Sequence, residues 1–336
     1  MPHKPLTLLA FDPKAHADSF SAEHTARLRD LVTLLAPNPL ASFEDTAARV
    51  LLSQTEILIT GWGAPHLGAA ELAASPHLRL VAHLAGSVKP FLDSAIGARD
   101  IAVTSAADAN ALPVAEYTLA AILFANKKVF ALRNAYREAR HASAWAELAP
   151  GLGNYRKTIG IVGASRVGRR VIALLKPFDF EVLLFDPLVD AAEALQLGAR
   201  LVELDTLMKT ANVVSIHAPL LPESTGMIDR RRLALMRSGA TLINTARGAI
   251  VDQDALIEQT SSGRIDAIID VTEPDILPAG SPLFDLPNVF LTPHIAGSLG
   301  TETRRMTDMI LDEIERYIQG KPLQHRVALS ELEHQA

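Results

Sequence analysis

The chain has 336 residues, enough for about two domains that each bury a core, and 49% hydrophobic with 21% charged residues is an ordinary globular balance. A net charge of −6 with no basic run argues against a nucleic-acid partner and against an anionic membrane surface. The absence of cysteine excludes disulfides, thiolate nucleophiles and cysteine-held metals, and an aromatic share of 5% means cores built from Leu, Ile, Val and Ala.

From the N-terminus, Leu6 to Phe11 is an apolar run stopped by Asp12-Pro13, too short for the apolar region of a leader. The longest apolar stretch elsewhere, Tyr117 to Ala125, falls well short of the ~20 residues that cross a bilayer. No membrane partner is expected, and the cytoplasm is the expected compartment. Residues 1 to about 109 alternate short strands (Leu6–Phe11, Ile57–Thr60, Leu78–Leu84, Ile101–Thr104) with helical patterns, the first over Ala22 to Leu35. That alternation predicts a parallel sheet flanked by helices. Within it, Gly86-Ser87-Val88 follows a strand end, where free N–H groups would form a nest for a carboxylate; the competing reading is an ordinary strand-to-helix turn.

Pro113 to about Arg133 reads as one long helix, apolar over so much of its circumference that it needs cover on more than one side. A less regular stretch around Trp145 and Pro150-Gly151 follows. Next comes the most informative segment. Ile159 to Val162 is a strand, Gly163-Ala164-Ser165-Arg166-Val167-Gly168 a Gly-rich turn opening a helix to about Leu175, and Val182 to Phe185 a second strand ending on Asp186. This βαβ unit carries a dinucleotide fingerprint, with a pyrophosphate expected at the helix N-terminus and the ribose hydroxyls on Asp186. Ser165 stands where a second Gly is usual; it fits if its Cβ points away, and its hydroxyl could donate to phosphate. A carboxylate at position 186 repels a 2′-phosphate, so NAD is expected rather than NADP.

Further strands are expected at Val213–Ile216, Ala240–Asn244, Ile265–Val271 and Val289–Thr292, making a doubly wound sheet of about seven strands. A last helix from Thr301 should end at Gly320-Lys321-Pro322 and cross back to the first half, so that a cleft lies between two lobes. Three strand ends carry residues a plain core does not require: Arg247 after Asn244-Thr245-Ala246, the acids Asp270, Glu273 and Asp275, and His294 after Thr292-Pro293. The histidines at 3, 16, 24, 66, 141, 325 and 334 read as exposed, and no His-x-x-x-His pair or carboxylate cluster suggests a metal.

In order along nearly the whole chain, these motifs resemble the D-isomer-specific 2-hydroxyacid dehydrogenases: the Gly86-Ser87-Val88 turn, Val114-Ala115-Glu116, the 163–168 fingerprint, His217-Ala218-Pro219-Leu220 with Thr225, Thr245-Ala246-Arg247-Gly248, Asp270-Val271 and Thr292-Pro293-His294. The resemblance implies two doubly wound parallel-sheet lobes: a flavodoxin-like substrate domain over 1–109, completed by 300–336, and a Rossmann-type NAD-binding domain over 110–299. It also implies a homodimer built on the nucleotide lobe, with the long helix in the contact. The implied activity is hydride transfer between NAD and C2 of a small 2-oxo or 2-hydroxy acid. Arg247 would then bind the carboxylate and carbonyl, and His294 would donate the proton. Asp275, rather than Glu273, would pair with His294, and Gly86, Ser87 and Val88 would line the substrate.

The same resemblance places Gly163, Ser165, Arg166, Val167, Asp186, Ala218, Thr225, Thr245, Ala246, Asp270 and Gly297 around the cofactor, with Asp270 on the nicotinamide amide. A carboxylate beside the histidine disfavours formate as substrate, since relatives acting on formate carry Gln there. A non-catalytic NAD-binding sensor or corepressor is the competing class. The lack of a further domain after Gln335 is expected to disfavour an allosterically regulated biosynthetic relative.

Overall fold

The computed structural model describes residues 4–141 and 151–328, so the stretch around Trp145 and the calls on His3 and His334 lie outside the described residues. The chain divides into two units, one of residues 1–111 and 298–335, the other of residues 112–297.

In the first unit, β1 (Leu6–Ala10), β2 (Thr33–Leu34), β3 (Ile57–Thr60), β4 (Leu80–His83) and β5 (Ala102–Ser105) pair in parallel in the order β2-β1-β3-β4-β5. Most strand residues are apolar, because a parallel sheet is covered on both faces. Successive side chains alternate between two cores: Leu8, Leu58, Val81 and Val103 enter one, and Leu9, Ile57, Ile59, Leu80 and Ala82 the other. The second core is closed by Met306, Ile310, Leu311 and Ile314 of the C-terminal helix, Thr303–Ile318. Each such fully buried side chain contributes about 1.5–3 kcal/mol over its exposed state.

The expected helix Ala22–Leu35 is shorter than the sequence suggested. It ends at Leu31; Val32 is already extended, and Thr33-Leu34 pairs with Leu6 and Thr7 as β2. His24 is buried at 7% exposure, not exposed as expected. Its Nδ1 lies beside the Ser21 cap and its Nε2 is 2.9 Å from an Asp308 carboxylate oxygen. Here a histidine takes the third helical position that Glu or Gln holds in a capping box. His325, also expected at the surface, is half-buried with Nδ1 3.0 Å from Asp108.

The second unit holds β6 (Thr158–Val162), β7 (Glu181–Phe185), β8 (Arg200–Leu201), β9 (Val213–Ile216), β10 (Thr241–Asn244), β11 (Asp266–Ile269) and β12 (Val289–Leu291). All are parallel, in the order β12-β11-β10-β9-β6-β7-β8. Strand order therefore reverses between β6 and β9, the place where open α/β sheets take their ligands. The predicted helix 113–133 is instead two helices, Ala107–Asn126 and Val129–Ala139. Pro113 lies inside the first of them, and Lys128, with φ at 50°, breaks the run while its ammonium bonds to Asp266 and to the Gly239 carbonyl.

Candidate active site

The Gly-rich turn is shaped by close approach. Gly163 has φ +98°, and a Cβ there would lie 2.6 Å from the Ala218 nitrogen, where the chain leaves β9. A Cβ on Gly168 would lie 2.0 Å from the Gly163 carbonyl oxygen. Both glycines let the β6 turn, the helix Arg166–Leu175 and the backbone at 217–218 meet at the point where strand order reverses. Ser165 caps that helix, its hydroxyl accepting from Gly168 N–H at 3.4 Å, which leaves the hydroxyl proton available. Arg166 and Val167 open the helix, Arg166 exposed and Val167 half-buried. Asp186 follows β7 and accepts from Ala164 N–H at 2.7 Å and Leu188 N–H at 2.8 Å, so the carboxylate is fixed beside the turn. A diphosphate-bearing coenzyme fits here: helix N–H groups lacking intrahelical acceptors, a cradle no side chain could share, and a half-buried carboxylate next to it. Thr225 sits on the adjacent loop, its hydroxyl on the Leu221 carbonyl.

At the end of β10, buried Asn244 shapes the turn. Its carboxamide accepts from Ala246 N–H and donates to the Arg247 carbonyl. Arg247 leaves this turn with Nη1 2.7 Å from the Ala246 carbonyl. Partial burial of the guanidinium pulls its pKa below the ordinary value although the residue as a whole is exposed, and the nearby Asp275 charge pulls the other way. Gly248, next in sequence, lies so near the Thr272 carbonyl that a Cβ would overlap it, which brings the ends of β10 and β11 together.

Asp270, 2% exposed, takes three donors. Thr292 Oγ1 and Ile295 N–H bond to one oxygen at 2.7 and 2.8 Å, and Ala296 N–H to the other at 2.9 Å. It thereby organises the loop after β12, which runs on to half-buried Gly297. His294 on that loop has φ 55°, a left-handed conformation rare outside glycine. Its Nδ1 is 3.2 Å from Asp275 Oδ1, both side chains being exposed, whereas the main chain of Glu273 pairs with the Gln253 carboxamide. Because a carboxylate only accepts, Nδ1 carries the proton and Nε2 is left for a reacting group.

In the first unit, Gly86, Ser87 and Val88 follow β4, and among the described residues no acceptor is recorded for their three N–H groups. Beneath them His83 is stacked on Phe91 at 4.8 Å, with Nδ1 2.9 Å from Thr60 Oγ1. The Ser87 backbone opposes the lowering of its pKa, and its Nε2 is buried without a hydrogen-bond partner among the described residues.

Two buried histidines set a pH dependence. Burial lowers the pKa of both His83 and His217 to about 3. Below pH ~6.5 the unfolded chain protonates both while the fold does not, so the unfolded state binds more protons down to pH ~3. Stability is therefore full above pH ~6.5 and falls as pH falls through that window, by about 1.4 kcal/mol per pH unit for each histidine. The urea midpoint measured from pH 7 to 4.5 should drop steadily; a flat midpoint over pH 6–4.5 would contradict it.

The sequence model described as D-isomer specific 2-hydroxyacid dehydrogenase, NAD binding domain, matches residues 119–296, more than half of the chain. The chain belongs to this dehydrogenase family. D-3-phosphoglycerate dehydrogenase of Mycobacterium tuberculosis (strain ATCC 25618 / H37Rv) is 34% identical to this family member over 254 residues, covering 74% of this chain and 47% of that protein. Glyoxylate reductase of Korarchaeum cryptofilum is 33% identical over 251 residues, 74% of this chain and 75% of the reductase. The chain thus spans about half the length of the phosphoglycerate dehydrogenases it matches. Among solved structures, the TT0316 protein from Thermus thermophilus aligns over 96% of this chain and all of its own, with TM-score 0.76 and 28% identity. A phosphoglycerate oxidoreductase from Rhizobium etli aligns over 96% of this chain and 98% of its own, with TM-score 0.81 and 25% identity. The two-sheet architecture and the NAD-binding domain are therefore those of the 2-hydroxyacid dehydrogenases.

Sequence reasoning misses the partners of the site side chains. It does not single out Tyr117 and Thr118, although both bond to strand-end loops of the site.

Proposed function

We propose that this protein is an NAD-dependent oxidoreductase that moves a hydride between nicotinamide and C2 of a small D-2-hydroxy or 2-oxo acid. The observation that carries the proposal is the imidazole–carboxylate pair His294–Asp275 at 3.2 Å, with a partly buried guanidinium, Arg247, within the field of the same carboxylate. The bound coenzyme supplies the hydride and would be held by Gly163, Ser165, Arg166, Val167, Asp186, Ala218, Thr225, Thr245, Ala246, Asp270 and Gly297. Arg247 takes the substrate carboxylate and carbonyl through its planar fork and stabilises the charge that grows on the carbonyl oxygen. His294 Nε2 gives that oxygen its proton, and recovers it in the opposite direction. Asp275 holds Nδ1–H, sets the ring's orientation and stabilises the imidazolium. The N–H nest at Gly86, Ser87 and Val88 is proposed as a carboxylate cradle.

The compartment proposed is the cytoplasm, supported by the lack, among the described residues, of a helix long and apolar enough to cross a membrane. A homodimer is proposed through the helices Ala107–Asn126 and Val129–Ala139, on which Phe124 and Tyr136 are 48% and 61% exposed. No nucleic-acid partner is proposed, given the net negative charge.

The test is oxidation of NADH with a panel of 2-oxo acids graded by chain length and branching. A sensor of the same fold would bind NADH and turn over nothing, which would overturn the proposal. Asp186→Ala removes the charged acceptor proposed for the ribose. It is expected to weaken NADH binding about 10- to 100-fold, the worth of hydrogen bonds to a charged group, and to narrow the margin over NADPH. Unchanged titrations with both coenzymes would remove Asp186 from the site.

A further inference from the structure

The helix Ala107–Asn126 touches the site's strand ends through two neighbouring hydroxyls. Tyr117 Oη is 2.8 Å from Thr292 Oγ1, and Thr292 Oγ1 is 2.7 Å from Asp270 Oδ1. A carboxylate can only accept, so the threonine spends its proton on Asp270 and Tyr117 donates to the threonine. Burial, with the Asp270 charge adding to it, raises the phenol's pKa, so the hydroxyl keeps its proton and remains a donor. Thr118, fully buried, has its hydroxyl 3.1 Å from that of Thr245. Adjacent residues on a helix point about 100° apart, so the two side chains reach different strands. Those strands, β10 and β12, are separated in the sheet by β11.

Each anchored threonine stands two residues before a proposed functional side chain: Thr245 before Arg247, and Thr292 before His294. A second observation points the same way. His294 is held in a left-handed backbone conformation, which persists only when its surroundings over-determine it. The surroundings are the bonds from Asp270 to Thr292, Ile295 and Ala296, and Tyr117 is the outer member of that set.

We propose that Tyr117 and Thr118 are positioning residues, two hydroxyls on one helix that hold the segments carrying Arg247 and His294 at a fixed spacing. The inference rests on the function proposed above and deepens it. Neither hydroxyl touches the reacting atoms; each acts through the loop it grips. Loss of the Tyr117 hydroxyl frees Thr292 and loosens the His294 loop, which should slow proton transfer. Loss of the Thr118 hydroxyl frees the Thr245 turn, which should loosen the grip of Arg247 on the substrate.

The test uses the full chain carrying Tyr117→Phe, Thr118→Val or Thr118→Ser, with kcat and KM measured for a 2-oxo acid and for NADH, alongside Tm. Tyr117→Phe should lower kcat about fivefold, the worth of one net hydrogen bond, with KM for the oxo acid kept within about twofold. Thr118→Val should raise KM for the oxo acid about fivefold, and Thr118→Ser, which keeps the hydroxyl, should return it to the parent value. Tyr117→Phe and Thr118→Val variants that both match the parent in both constants would overturn the inference. So would kcat and KM moving together in step with lost Tm, since that is how plain destabilisation reads. If Thr118→Val does not fold, Thr118→Ala, which also removes the hydroxyl, takes its place beside Tyr117→Phe. A parent enzyme that turns over no oxo acid removes the function itself and this inference with it, whereas an active parent with unsplit variants removes only the inference.

Discussion

Replacing His294 with glutamine is expected to lower kcat for 2-oxo acid reduction about 10³-fold while leaving NADH affinity within about twofold. A positioned general acid is worth about 10²–10⁴ in rate. Glutamine keeps much of the volume and one donor, but it has no proton to give at neutral pH. Because Nδ1 of the parent ring is committed to Asp275 at 3.2 Å, the lost function is that of Nε2 alone. Asp275→Asn should cost less, since the ring keeps a partner but the imidazolium loses a balancing charge. Steady-state NADH oxidation across the series checks both statements, and a His294→Gln enzyme at full kcat would remove the histidine from the chemistry.

Exchanging Arg247 for lysine should lower kcat/KM by about 10²–10³, equivalent to about 3–4 kcal/mol of transition-state stabilisation. The charge survives the exchange; the planar fork does not. An ammonium offers no fixed pair of parallel donors to a carboxylate and its neighbouring carbonyl. The parent guanidinium is also preset, with Nη1 on the Ala246 carbonyl at 2.7 Å, so little ordering remains when substrate arrives. Arg247→Met, which drops the charge as well, should fall further. Activity of the lysine variant within about threefold of the parent would mean that charge alone matters at this position.

Parts of the second unit could be read residue by residue, though the segment from Ala191 to Thr210, with two helices and the strand β8, was not. The helix expected to run from Arg166 to Leu175 has those limits, and so does the strand Val213–Ile216, because an apolar run punctuated by a Gly turn is a local signal. What failed was decided by distant partners. β2 is two residues long and exists only because Leu6 and Thr7 offer it a ladder. The break at Lys128 has no Gly or Pro to announce it and depends on bonds to Gly239 and Asp266, more than a hundred residues on. His24 carried a readable cue, Ser21 three residues ahead of it, but its burial also needs Asp308. The site divides in the same way. Arg247 and His294 stand out by their places after strands, and Asp275 only through the family resemblance, while the grip of Tyr117 on Thr292 spans 175 positions of sequence and leaves no periodic trace.

The five-stranded unit draws on segments far apart in the chain, and this has a bearing on synthesis. A nascent chain releases β1 to β5 from the ribosome first, yet one face of that sheet waits for Met306, Ile310, Leu311 and Ile314. The contiguous residues 112–297 can close their own cores in the interval. The earliest-made strands of the two sheets are thus the last to be fully covered, and the nascent protein carries a sheet face only partly covered by Leu28 and its neighbours until the codons for that late helix have been translated.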